Sequence, residues 1–267
     1  MRTLVSRSIT GFLLLVAALL IIIFGSRASL LLVLILMSSL ALQEFYRALA
    51  PDKKYGSHVL IILFNVVVHF LAYKRYMDYY VISWLVLVLL LFSMYVLQSE
   101  WTLKDLMVTL LASVYIGLLS SVNLFYPDGK QIYLLIVLCS SWGTDTCAYL
   151  FGMLFGKHPL TSISPKKTVE GSIGGTLGAV ALGCGLQPFF YSEIGLIEIA
   201  VVTMMGSIVA QIGDLFASRI KRQAGIKDYG SLLHAHGGVL DRFDSLLFAG
   251  PTIWILMKLL RNLAFYY

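Results

Sequence analysis

Charge is scarce in this chain. Of its 267 residues, 13% are Asp, Glu, Lys or Arg and 59% are hydrophobic. A soluble domain carries about 25% charged residues. The mean hydropathy of +0.86 agrees. No water-soluble fold of this length can bury so much apolar surface, so the bilayer must be the solvent for most of the chain. Cysteine is scarce too. Cys139, Cys147 and Cys184 lie in apolar stretches with no CxxC pair and no metal-ligand spacing, and read as small buried hydrophobes. There is no internal repeat, no low-complexity tract and no soluble domain.

What is present is a series of apolar runs. A spanning helix needs about 20 apolar residues. On that basis the sequence predicts an all-α polytopic membrane protein with about nine transmembrane helices, at 8–25, 28–49, 58–73, 79–97, 106–125, 131–153, 171–191, 196–218 and 243–264. The third run is short and carries Asn65 and His69. The first 25 residues resemble a secretory signal in make-up, with basic residues before an apolar core. More membrane helices follow, so they are read as the first span.

The net charge is +6 and the pI about 9.2. The basic residues sit in short loops between apolar runs, which points to membrane topology and anionic phosphates rather than to nucleic acid. With a cytoplasmic N-terminus, Arg27, Lys74, Arg75, Lys130, Lys258 and Arg261 face the far side. The other 14 of the 20 Lys and Arg then face the cytoplasm, as the positive-inside rule asks, and the C-terminus lies opposite. The first region, 1–130, holds five spans and reads as scaffold facing lipid or a second copy of the chain. The second, 131–267, holds four spans and the two long loops, 154–170 and 219–242, both cytoplasmic. Loops longer than the join requires are often functional. In the stretch 171–179, Gly171 and Gly175, and Gly174 and Gly178, stand at GxxxG spacing and read as a close-packing face.

Carboxylates inside a span are costly and usually functional. Asp145 lies in the sixth span, Asp214 in the eighth, and Asp241 and Asp244 open the ninth. Asp241 and Asp244 share a helix face, as do Asp214 and Ser218. Oxygen ligands of this kind suit Mg²⁺, which binds through one or two carboxylates plus substrate phosphates. Cations interleave with them: Lys166 and Lys167 before a helix, then Arg219, Lys221, Arg222 and Lys227, then Arg242 between the two aspartates. A topology determinant needs only positive charge. A phosphate-and-metal site needs both signs and adaptable glycine backbone, here Gly237 and Gly238. Such a site beside lipid suits phosphoryl or nucleotidyl transfer to a lipid.

These residues resemble the signature of the phosphatidate cytidylyltransferases, or CDP-diacylglycerol synthases. The match runs through Ser218, Lys221, Arg222, Lys227, Asp228, Gly230, His236, Gly237, Gly238, Asp241, Arg242 and Asp244, with the spacing kept. Upstream, Asp145-Thr146, Ala148-Tyr149, Gly156-Lys157, Ser164-Pro165-Lys166-Lys167-Thr168 and Glu170-Gly171 are similar as well. In one departure, His234-Ala235 stand where the family has Pro-Gly. The resemblance implies that CTP and phosphatidate give CDP-diacylglycerol and pyrophosphate with Mg²⁺, at the plasma or inner membrane of a bacterium. It implies that Asp214, Asp241 and Asp244 hold one or two metal ions with Asp145 close by. Lys166, Lys167, Lys221, Arg222, Lys227 and Arg242 would hold phosphates, with Ser218, Asp228, His236, Gly237 and Gly238 in the same binding set. A CTP-dependent polyprenol-type kinase would need similar chemistry. An ion-coupled transporter would also use intramembrane aspartates, but no repeat is seen and the charges gather at one face.

Overall fold

An apolar run in lipid has no water to satisfy its backbone, so it closes its N–H···O=C bonds within the segment as a helix. The computed structural model describes residues 2–50, 56–125, 131–189, 194–230 and 237–264. Its α-helices are α1 (Arg2–Phe24), α2 (Arg27–Leu49), α3 (Gly56–Lys74), α4 (Met77–Leu97), α5 (Leu103–Gly117), α6 (Gln131–Leu138), α7 (Thr144–Phe155), α8 (Val169–Leu186), α9 (Leu196–Gln223) and α10 (Leu240–Ala264). A 3₁₀ stretch, Leu118–Leu124, prolongs α5, and a π-helical turn, Cys139–Gly143, joins α6 to α7.

The chain is an all-α integral membrane protein. Among the described residues, seven helical segments are long and apolar enough to cross a membrane, the first Arg27–Leu49 and the last Leu240–Leu260. Leu13–Phe24 and Val59–Lys74 are apolar but shorter. They fall in the first and third of the nine predicted spans, and the other seven predicted spans meet that criterion among the described residues.

The chain divides into two compact units, Met1–Leu124 with Asp228–Arg242, and Phe125–Lys227 with Phe243–Tyr267. In the first, Phe64, Val68, Leu87, Leu91 and Leu106 form a buried cluster with Trp84 and Trp101 packed on it. The helix α5 starts on a reciprocal cap: Thr102 Oγ1 accepts the Asp105 N–H (3.3 Å), and Asp105 Oδ2 accepts the Thr102 N–H (2.8 Å). Two polar residues of α3, Asn65 and His69, are buried, and each makes a hydrogen bond. Asn65 Nδ2 donates to Ser38 Oγ (2.8 Å), and His69 Nδ1 pairs with Asn123 Nδ2 (2.8 Å).

In the second unit α8 lays its glycines on α7. A Cβ at Gly175 would stand 2.8 Å from Ala148 Cβ and 2.9 Å from the Thr144 carbonyl oxygen. The GxxxG face therefore serves packing, as its spacing predicts. A seam of short polar side chains ties α7, α8 and α9 together. Thr144 Oγ1 donates to Ser207 Oγ (2.7 Å), Ser207 Oγ to Thr176 Oγ1 (3.2 Å), and Ser172 Oγ to Gln211 Oε1 (2.6 Å). With no water to compete, each such bond fixes helix against helix.

Candidate active site

In the second unit the segment between α7 and α8 is folded, not slack. Pro159 and Thr168 form an isolated antiparallel bridge. The Leu160 N–H donates to the Lys167 carbonyl (2.8 Å), and the Val169 N–H to the His158 carbonyl (2.9 Å). Glu170, in the first turn of α8, closes the loop from the other side. Its Oε2 accepts the Lys157 and His158 N–H groups (3.1 and 3.2 Å), and Oε1 meets His158 Nδ1 at 2.6 Å. Thr168 caps α8 by accepting the Gly171 N–H (3.1 Å). Lys166 and Lys167 are presented by this hairpin-like loop, Lys166 exposed and Lys167 half-buried.

Lys167 turns toward α9, where its Nζ pairs with Asp214 Oδ2. Asp145 on α7, Asp244 on α10 and Lys221 on α9 act on the same ammonium. Burial pushes the Lys167 pKa below the ordinary lysine value. The Asp145 and Asp244 carboxylates oppose that shift, and the Lys221 ammonium adds to it. Asp244 and Lys221 are buried, Asp214 is half-buried and Asp145 is exposed. Gly213 makes the approach of α9 to α10 feasible, since a Cβ there would come 2.9 Å from the Asp244 carbonyl oxygen and 2.9 Å from Phe248 Cδ2. The second unit thus brings Asp145, Lys167, Asp214, Lys221 and Asp244 into one electrostatic neighbourhood. Ser218 lies one turn beyond Asp214 on α9, and Arg222 and Lys227 are exposed at and after its end. Arg222 Nη1 donates to the Ile226 carbonyl (3.1 Å).

In the first unit, Asp228, Gly237, Gly238, Asp241 and Arg242 belong to one segment. Asp241 Oδ2 accepts the Tyr229 N–H (2.8 Å) and the Gly238 N–H (2.9 Å), so this oxygen organises backbone. Gly237 has φ of 79°, a left-handed conformation that suits glycine. His236, and the His234-Ala235 departure before it, lie outside the described residues.

Sequence reasoning gave two carboxylates no role, although Glu170 stood among the residues of the resemblance. Glu170 holds the loop that presents Lys167. Glu44, in α2, accepts the N–H groups of Val239 (2.9 Å) and Leu240 (2.8 Å). The rule that singled out the intramembrane aspartates applies equally to Glu44, which lies inside the second predicted span.

Among the described residues, no three His, Cys, Asp or Glu side chains form a ready-made metal shell. Magnesium seldom takes an all-protein cage and completes its shell with water and substrate phosphate. The donors here are hard carboxylate oxygens gathered around a cation, which is the chemistry such an ion takes, so the residues fit it.

The profile of the cytidylyltransferase family matches residues 5–260. A phosphatidate cytidylyltransferase of Staphylococcus epidermidis is 37% identical over 163 residues, which is 60% of this chain and 62% of that protein. Proteins of the same description from Staphylococcus haemolyticus and Staphylococcus aureus are 38% identical over 164 residues and 37% over 163, with the same shares. The chain thus matches about 62% of the length of these curated relatives.

Proposed function

This chain belongs to the cytidylyltransferase family, and from that premise we propose that it is a phosphatidate cytidylyltransferase, making CDP-diacylglycerol and pyrophosphate from CTP and phosphatidate. The observation that carries the reading is the Lys167–Asp214 pair, set among Asp145, Asp244 and Lys221 in a unit built of membrane helices. Both charge signs, partly withdrawn from water, lie beside the phase that holds the lipid substrate.

An oxygen of the phosphatidate phosphate attacks the α-phosphorus of CTP. The new bond is that P–O bond, and the bond broken joins the α-phosphorus to the oxygen bridging to the β-phosphate. The attacking phosphate is already ionised near neutral pH, so the site needs no strong general base. Its work is positioning and neutralisation of charge. Lys166, Lys167, Lys221, Arg222 and Lys227 bind phosphates, with Ser218 as a hydroxyl donor. Asp214 and Asp244, with Asp145 beside them, would hold Mg²⁺. Bound there, that ion supplies neutralisation of the developing pyrophosphate charge. Asp228, Gly237, Gly238, Asp241 and Arg242, and His236 with them, are assigned to substrate or metal binding on the resemblance alone. The N-terminus and the loop 154–170 face the cytoplasm, where CTP is found, on the strength of the Lys and Arg distribution.

The test uses the purified full chain in liposomes with phosphatidate, Mg²⁺ and CTP labelled in the α-phosphate. Label enters the lipid with matching pyrophosphate release, and chelation of the metal stops it. Label that stays out of the lipid in folded protein overturns the reading. Label transferred only from γ-labelled CTP to an alcohol acceptor replaces it with the lipid-kinase one.

A further inference from the structure

We propose that Glu44 is a positioning residue: from α2 it holds the N-terminus of α10 and so sets the signature segment that carries Asp228, Gly238 and Asp241. Its effect on rate presupposes the cytidylyltransferase reading. Its effect on backbone order does not.

Glu44 is 7% exposed, inside an apolar helix where a carboxylate is costly unless hydrogen-bonded. The bonds it makes are to Val239 and Leu240 (2.9 and 2.8 Å). Those N–H groups open a helix and have no partner within it. The carboxylate also lies at the positive end of the helix dipole. One residue earlier, the Gly238 N–H goes to Asp241 Oδ2, which takes the Tyr229 N–H as well. Three successive N–H groups, at 238, 239 and 240, are therefore each held by a carboxylate.

The neighbour of Glu44 docks the same segment from the side. Phe45 stacks on Tyr229 with centroids 5.9 Å apart and planes at 28°, both rings buried. Two signature glycines leave the space that Glu44 fills. A Cβ at Gly230 would collide with Glu44 Oε1 and stand 2.8 Å from its Cδ. At Gly238 a Cβ would collide with Oε2 and stand 2.6 Å from Cδ. A carboxylate is the one side-chain group with two acceptor oxygens for two N–H donors. An amide in its place turns an NH₂ on one of them.

The experiment compares the full chain in detergent with Glu44→Gln, Glu44→Ala, Gly230→Ala and the double variant Glu44→Ala/Gly230→Ala. Hydrogen exchange is read by mass spectrometry at residues 237–242 and across α7 to α9, together with kcat and the KM for CTP. In Glu44→Gln, amides 238–240 exchange roughly tenfold faster while those of α7 to α9 keep their rates. The kcat falls roughly 10-fold in Glu44→Gln and 100-fold in Glu44→Ala, with KM little changed. Gly230→Ala slows turnover on its own but adds no further loss to Glu44→Ala, whose cavity accepts the new Cβ. Unaltered exchange at 238–240 in Glu44→Gln overturns the proposal. So does faster exchange with unchanged kcat, which leaves a structural cap only, and so do additive losses in the double variant. If Glu44→Ala fails to fold, the isosteric Glu44→Gln decides alone. Wild-type protein inactive on CTP, yet with the expected exchange response, supports the anchor and sinks the reaction.

Discussion

Lys167 shows how much one side chain can depend on its surroundings. In sequence it is one of a pair of lysines before a helix, equivalent to Lys166. In the fold Lys166 is exposed, while Lys167 pairs with Asp214 under the fields of Asp145 and Asp244. Under the proposed reaction, an ammonium held by that carboxylate is already placed to meet a phosphate. Lys167→Met is expected to lower kcat/KM for CTP roughly 10²–10³-fold, and Lys166→Met far less. Initial rates in liposomes check the difference, and equal losses would return both lysines to a shared role. Asp241 has a different lesson. Its sequence position marks it as a metal or substrate ligand, but one of its oxygens is committed to the Tyr229 and Gly238 N–H groups. Replacing it therefore disturbs the loop as well as any ligand it holds.

At the scale of elements, the apolar runs were legible and their interruptions were not. Hydropathy marks where a helix must form in lipid, so helices occupy the predicted runs among the described residues. The π-helical turn Cys139–Gly143 has no such mark, since it preserves apolar character while changing the hydrogen-bond register. The glycine spacing in α8 was readable because small residues four apart fall on one face of any helix. Its partner, α7, was not readable, because the pattern states that something comes close and not what. Gly175→Val should press on Ala148 and the Thr144 carbonyl and cost about 1–3 kcal/mol. Thermal unfolding in detergent would show it as a lowered midpoint, and an unchanged midpoint would mean that α7 and α8 separate without penalty.

For the whole molecule, the two compact units are not two stretches of sequence. Asp228–Arg242 groups with the first 124 residues, and Glu44 and Phe45 of α2 are among the residues that touch it. Charge counting gives the molecule its proposed orientation. In a background without native cysteines, Ser162→Cys should react with an impermeant thiol reagent only after the membrane is opened, and Tyr76→Cys before. Both positions are exposed. The reverse order would invert the topology and place the loop 154–170 away from cytoplasmic CTP.

By itself the sequence determined that the chain is helical and lies in a bilayer, because composition alone decides which solvent can accept so much apolar surface. It also supplied the chemical types at the site, since Asp and Lys spaced through a signature keep their identity whatever the fold. Tertiary structure alone decided which lysine meets which aspartate, and which backbone N–H groups the Glu44 and Glu170 carboxylates accept. Those choices depend on distances between segments as far apart as residues 44 and 240, and the pairing of a hydrogen bond across that separation leaves no trace in either local pattern.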